Sequence, residues 1–266
     1  MSLAGSGCSA WRHTQALSLT KPSNHRDWLP YLSTLATAEI DDRDVKIRNI
    51  RNCHYLSEND YVLDYYDKTY DLSKLTSVDF VVVPFKEMPS LAHTMLSFGF
   101  EERDFVVISV EARLEKGEAY SPFRGAAQQY ELMYVIGDER DLIELRTEQR
   151  DVDVFVYRAQ VRPAQAQAMF VDMLERANKL AKKPEFYDTF TNNCTTNIVD
   201  HVNKLSPNLL SYSYQVLLPG HSDRLAYDLG LLDRSVSFDE LKRRALVNAK
   251  AHAFANRTDF SQQIRR

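Results

Sequence analysis

Between Asp44 and Ala159 short runs of β-branched and aromatic residues recur at intervals that suit an antiparallel sheet, from DVKIRNIRNCHYL (44–56) to VDVFVYRA (152–159). Six or seven strands are expected. In DFVVISVEAR (104–113) Val106, Ile108 and Val110 share one face, while Val107, Ser109, Glu111 and Arg113 share the other, which turns polar toward its C-terminal end. The longest apolar runs, such as VDFVVVPF (78–85), are strand-length and well short of a spanning helix. After Arg162-Pro163 the period changes. Met169, Phe170, Met173, Leu174, Ala177 and Leu180 fall at helical spacing behind a proline suited to a first turn.

A second helix should open near Asn192 to Cys194, carry Ile198, Val199, Val202 and Leu205 inward, and stop before Pro207. A short helix is expected around Trp28 to Ala38, and a surface helix from Ser237 to Ala253. The pattern therefore divides the chain into a polar leader remnant or linker (1–27), an α+β domain with an antiparallel sheet packed against helices (28–215), and a helical extension packed on it (216–266).

The composition narrows the functional classes. With 266 residues, 44% hydrophobic, 26% charged and 13 Phe beside 14 Tyr, the chain is globular rather than disordered. Its net charge of −4 provides no general field for nucleic acid or anionic lipid, so contact with either must be local and no nucleic-acid partner is expected. Metal-ligand spacings such as HxxxH and CxxC do not occur, nor does GxGxxG or GxxxxGK, and only 8 glycines are present. No metal or other cofactor is expected.

Three cysteines, Cys8, Cys53 and Cys194, leave at least one unpaired within the chain. AGSGC resembles the stretch before a lipoprotein cleavage site, which would make Cys8 the lipidated first residue of a mature protein. Gly5 stands where that signal usually has Leu. The alternative is an idle N-terminal thiol.

Cys194 carries the chemical argument. Asn192 or Asn193 is a good N-cap, which puts Cys194 in the first turn of its helix, where the dipole favours thiolate. A cysteine so placed is still more often a small buried apolar residue than a nucleophile, so a base is required. His201, seven residues along the same helix, is roughly 10 Å away at 1.5 Å per residue. His221, in PGHSDR (219–224), is a rival. His93, in SLAHTMLSFGF (90–100), is better placed: a strand there next to DFVVISVEAR could set Glu111 beside it, fixing the imidazole tautomer. The alternative is a satisfied core histidine.

The series SLAHTMLSFGF, SVEARLEKGEAYSPFRGAAQQYELMYVIGDERDLIELRT (109–147) and FYDTFTNNCTTN (186–197) resembles the Lnb N-terminal periplasmic domain family of bacterial envelope proteins, over about residues 28 to 205. The order His, Glu, Cys is similar to circularly permuted members of the papain-like NlpC superfamily. The resemblance implies that fold, with Cys194 as nucleophile, His93 as base and Glu111 as orienting carboxylate. The family is named for a lipoprotein N-acyltransferase. The likeness therefore implies acyl transfer from a phospholipid donor to a lipoprotein amino terminus, in the periplasm, with a membrane contact through any lipid on Cys8. Unlike that enzyme, this chain shows no spanning segments after the domain, which leaves the acceptor open.

The Cys194 thiolate would attack an acyl carbonyl while His93 takes and returns a proton, giving a thioester. The Cys194 amide would supply one oxyanion donor. Arg113, Tyr130 and Tyr187 are the family-like candidates for a second donor or substrate contact, each with a plainer reading as a surface pair or packed aromatic. Glu131, Arg140 and Arg146 are expected mainly in structural ion pairs. A long apolar groove at Cys194 would favour acyl transfer, and a polar one an amidase or peptidase of cell-wall peptide. A sulfur buried or far from His93 would favour a binding module without turnover.

Overall fold

The computed structural model describes residues 21–206, 209–211, 216, 218–255 and 257–266. The strands are β1 (Thr37–Asp41), β2 (Asp44–Arg51), β3 (His54–Ser57), β4 (Asp60–Val62), β5 (Tyr65–Asp71), β6 (Leu75–Phe85), β7 (Met88–Phe100), β8 (Asp104–Arg113), β9 (Glu131–Asp138) and β10 (Phe155–Arg158). The main sheet runs β1-β2-β9-β8-β7-β6-β10, with β5 also paired to β2. Every pairing is antiparallel except a single parallel bridge from Arg51 to Gly137, and β3–β4 form a separate hairpin. The chain is thus a mixed α and β protein with more strands than the six or seven expected. The extra ones are short or polar (β1, β3, β4) and carry little hydrophobic signal.

The helices are α1 (Pro30–Ser33), α2 (Pro122–Ala126), α3 (Glu139–Glu144), α4 (Pro163–Lys182), α5 (Cys194–Leu205), α6 (Ser222–Asp228), α7 (Phe238–Ala245), α8 (Asn248–Phe254) and α9 (Phe260–Gln263). They cover both faces of the sheet. On one face Leu96, Phe98, Val106, Ile108 and Tyr134 pack under Phe170, Met173 and Leu174 of α4. On the other, Met95, Val107, Met133 and Val135 meet Leu142 and Ile143 of α3, Ala251 of α8 and Phe260 of α9. Burial on both faces explains why the central strands read as near-continuous apolar runs.

Two expected helices differ from the pattern. The segment 28–38 gives only the four residues of α1 before β1 begins, because the chain turns into an edge pairing with β2. The tail helix is broken into α7 and α8, as Leu246 leaves the helix to bridge Phe155 at the edge of the sheet. Packing also extends upstream of residue 28: Ser23 and Arg26 bond Glu131, and Asn24 caps carbonyls at the end of α4.

One feature of the sheet places the site. β8 stays paired with β9 as far as Arg113, but β7 and β8 part company at Met95–Ser109. From there back to Met88, β7 is held by β6, with His93 opposite Val83. The N-terminus of α5 sits against this opened fork, where Thr94 and Thr195 hydroxyls hydrogen-bond at 3.1 Å.

Candidate active site

Asn193 is the N-cap of α5. Its side chain accepts from the Thr196 amide at 2.9 Å, and the Thr196 hydroxyl accepts in return from the Asn193 amide. This capping box satisfies the third residue of the helix and leaves the first-turn amides of Cys194 and Thr195 without an intrahelical acceptor. Cys194 is the first helical residue, so its sulfur stands at the positive end of the dipole.

His93 and Glu111 reach the same point from β7 and β8. Ser109 Oγ donates to Glu111 Oε1 at 2.6 Å and therefore accepts from His93 Nε2–H at 2.7 Å. Nε2 itself is 3.3 Å from Glu111 Oε1. With Nε2 committed as a donor, Nδ1 is the ring atom left to exchange a proton with Cys194. Behind Glu111, Arg146 Nη2 donates to the same Oε1 at 3.0 Å, and its guanidinium is buried.

The electrostatics follow from this chain of contacts. Burial favours neutral forms throughout, and in each case it is outweighed by a partner. The Glu111 carboxyl is held well below its usual range by the charge and hydrogen bond of His93 and by Arg146. His93 loses by burial but gains more from Glu111 and from its hydrogen bond with Cys194, and rises to about 9. Burial would push Cys194 up; the hydrogen bond and charge of His93, with the Thr94 amide and hydroxyl, bring it down to about 7. Between about pH 7 and about 9 the pair is thiolate and imidazolium.

Both residues line a cavity of about 380 Å³ whose walls are mainly apolar, Leu91, Val110, Ala112, Leu114, Tyr120 and Phe123 among them, with Arg51, Arg146 and Arg150 also on the lining. Cys194 is buried at 6% exposed, as expected of a binding module without turnover, yet it is among the residues that line this cavity and lies within reach of His93. Gly220 directly follows the wall residues Leu218 and Pro219. A Cβ there would fall 2.0 Å from the Pro89 carbonyl oxygen, so only glycine lets Leu218 and Pro219 close against the start of β7.

A match to the Lnb N-terminal periplasmic domain model covers residues 61–220, which includes the whole of this constellation. The chain belongs to that family. It is a periplasmic envelope protein on that ground, and no helix among the described residues is long and apolar enough to cross a membrane. No curated protein and no solved structure matches the chain.

Of the other residues expected at the Lnb-type site, Tyr187 lines the cavity. Its hydroxyl is 3.3 Å from that of Tyr120, and burial together with the neighbouring Cys194 holds it well above an ordinary tyrosine, so it keeps its proton to donate. Tyr130 and Arg113 require correction. Tyr130 is fully buried, donating to the Ala119 carbonyl and stacked beneath Tyr120; it supports the wall without lining it. Arg113 is spent on the N-terminal segment. It donates to the Leu32 and Ser33 carbonyls and to Asn24, and its guanidinium lies 4.2 Å over Trp28. Strand alternation set it on the Glu111 face, but two residues further on that face is covered by residues 24–33. Cys8 lies outside the described residues.

Among the expected ion pairs, Arg146 does pair, but with Glu111, inside the site; Glu131 pairs with Arg26. Cys53 and Cys194 are both free thiols. Burial and Asp141 push Cys53 up to about 11, which marks it as inert. His221 is not among the side chains lining the cavity.

His201, too far along α5 to serve as base, proves to anchor the helix. Its Nδ1 bonds Asp172 of α4, and its Nε2 lies 2.8 Å from the Tyr134 hydroxyl, which donates to Asn197 Oδ1 at 3.0 Å. Asn197 then donates to Asn192 Oδ1 and to the Asn193 carbonyl, both at 2.9 Å. This buried chain of bonds ties the turn that presents Cys194 to the sheet. Tyr134→Phe leaves His201 and Asn197 short of a partner and should cost about 1–3 kcal/mol, seen as a fall of several degrees in melting temperature. Cys194 alkylation should slow without a change in its pH midpoint.

Proposed function

We propose that this Lnb-family domain is a thiol-dependent acyltransferase of the bacterial envelope, of the permuted papain-like type. It would form a thioester on Cys194 from a phospholipid acyl group and pass it to the amino terminus of a lipoprotein. The observation that supports this reading most is the convergence of Cys194, His93 and Glu111 on a single, mainly apolar cavity, with the buried Ser109 hydroxyl bridging the latter two.

In the reaction so read, the Cys194 thiolate attacks the acyl carbonyl and the sulfur–carbon bond forms as the ester oxygen departs. His93 imidazolium gives that oxygen its proton. An amine then attacks the thioester, His93 takes its proton, and the thiolate is released. The oxyanion of each tetrahedral intermediate would rest on the Cys194 amide, with the protonated Tyr187 hydroxyl as the second donor. Arg146 keeps Glu111 charged, and Glu111 keeps His93 a cation.

The mainly apolar lining favours a lipid chain over a muropeptide, whose carboxylates would need free cations along the walls, because the three lining arginines are already paired, Arg51 with Asp141, Arg146 with Glu111 and Arg150 with Glu58. Intact-mass measurement after incubation with phospholipid tests the reading. Wild-type protein should gain one fatty-acyl mass, removable by hydroxylamine, and Cys194→Ser should gain none. Cleavage of a muropeptide without any adduct would instead establish the amidase.

A further inference from the structure

The cavity mouth carries large apolar side chains in water. Phe123 is 85% exposed and Phe190 60% exposed; Tyr120 and Leu218 are also exposed, and all four line the cavity. They come from separate parts of the chain: the start of α2, the turn before α5, and the approach to α6. The two phenylalanines stand on segments pinned to each other. The Thr189 hydroxyl donates to the Pro122 carbonyl at 2.8 Å, and Gly125 brings α2 so close that a Cβ would lie 2.4 Å from Thr189 Oγ1. Asp188 accepts from the amides of Phe190 and Thr191, fixing the turn that bears Phe190.

The cations nearby are already matched, and the Asp188 carboxylate is held by the amides of its own turn. Arg124 pairs with Glu118, Arg150 with Glu58 and Lys86 with Asp151. The rim therefore offers apolar tips and no net cationic field.

We infer that this rim is a membrane-docking surface, on which Phe123, Phe190, Tyr120 and Leu218 insert into the interfacial region of a bilayer and bring the cavity mouth against the lipid. A folded protein partner would cover on the order of 800 Å² per side, more than a few tips around an opening provide, whereas a handful of aromatic and aliphatic side chains is what interfacial anchoring uses. The paired charges make the attachment hydrophobic, indifferent to lipid charge and to salt. It needs no spanning helix and no lipid on Cys8. The inference rests on the lipid reading of the cavity but is tested apart from the chemistry.

The experiment is sedimentation of the Cys194→Ser protein with phosphatidylcholine vesicles, with and without added phosphatidylglycerol. Binding is expected to both, changing less than about twofold between roughly 0.1 and 0.5 M salt, since an apolar attachment has no charge–charge attraction to the lipid for salt to screen. Phe123→Ser with Phe190→Ser should weaken it by about tenfold or more, while melting temperature stays within about two degrees, because both side chains lie in water. Absence of binding, binding untouched by the double variant, or binding only to anionic vesicles at low salt would each overturn the docking surface. Vesicle binding by a protein whose wild type gains no acyl mass would leave docking standing and end the transferase. An acyl adduct from detergent-dispersed phospholipid without vesicle binding would do the reverse.

Discussion

With His93 replaced by alanine, the Cys194 thiol should lose its acid behaviour: the pH midpoint for alkylation by iodoacetamide is expected to move from about 7 to above 9. Burial is the largest single influence on this thiol, and His93 is the chief group that outweighs it. At pH 7 the thiolate fraction would then fall from about half to about one per cent. A more basic thiolate is intrinsically more reactive, with a Brønsted slope of about 0.4–0.5, so roughly eightfold of that loss returns over two pH units. The net fall in alkylation at pH 7 is about five- to tenfold. Acyl transfer should fall much further, by about 10²–10⁴, because the proton donor to the leaving group is also removed. An unchanged midpoint in the variant would mean that the imidazole does not hold the thiolate.

The same pair should leave little trace in stability. His93 is raised from an ordinary 6.5 to about 9, so its contribution is complete below 6.5 and lost as pH climbs through 9. Cys194 is lowered from 9.0 to about 7, so its contribution is complete above 9 and lost as pH falls through 7. The two trends run oppositely over the same interval and largely offset. Folding reassigns which atom gives up its proton first. Alkylation therefore reads the pair where thermal melting does not.

How much of this site was legible in the sequence depended on the range of the interaction involved. The N-cap at Asn193 and the proline at the start of α4 are local, and both helices begin where their capping chemistry indicates. Alternation in DFVVISVEAR set Ser109 and Glu111 on one face, and the register joins that face to His93. Ser109 drew no attention because a serine on a strand has no spacing signature. Its role comes from lying between two groups supplied by different strands. Arg146 was visible as a charge in a matching motif, but its partner is 35 positions away, and only the packing of the segment after α3 under β8 joins them. Arg113 failed for a related reason. Periodicity gives the face on which a side chain projects but not what covers that face, and here the covering segment is residues 24–33.

Glu111→Gln should have the second large effect, and on two properties at once. Glu111 is the carboxylate that answers both the buried Arg146 guanidinium and the His93 imidazolium. A neutral amide in its place leaves the buried Arg146 guanidinium charged without its carboxylate. Breaking a buried pair from one side costs about 3–5 kcal/mol, which for a chain of this length is a fall of roughly ten degrees in melting temperature. His93 would also lose the charge that raises it, so the alkaline limit of Cys194 chemistry should move down from about 9 toward neutrality. Ser109→Ala separates the two consequences. It removes the hydroxyl between His93 and Glu111 but leaves Glu111 and Arg146 paired at 3.0 Å. The serine variant should melt within a few degrees of wild type while its alkaline limit still moves down. If the glutamine variant keeps both its melting temperature and its alkaline limit, Glu111 is a bystander and the proton on His93 is held by something else.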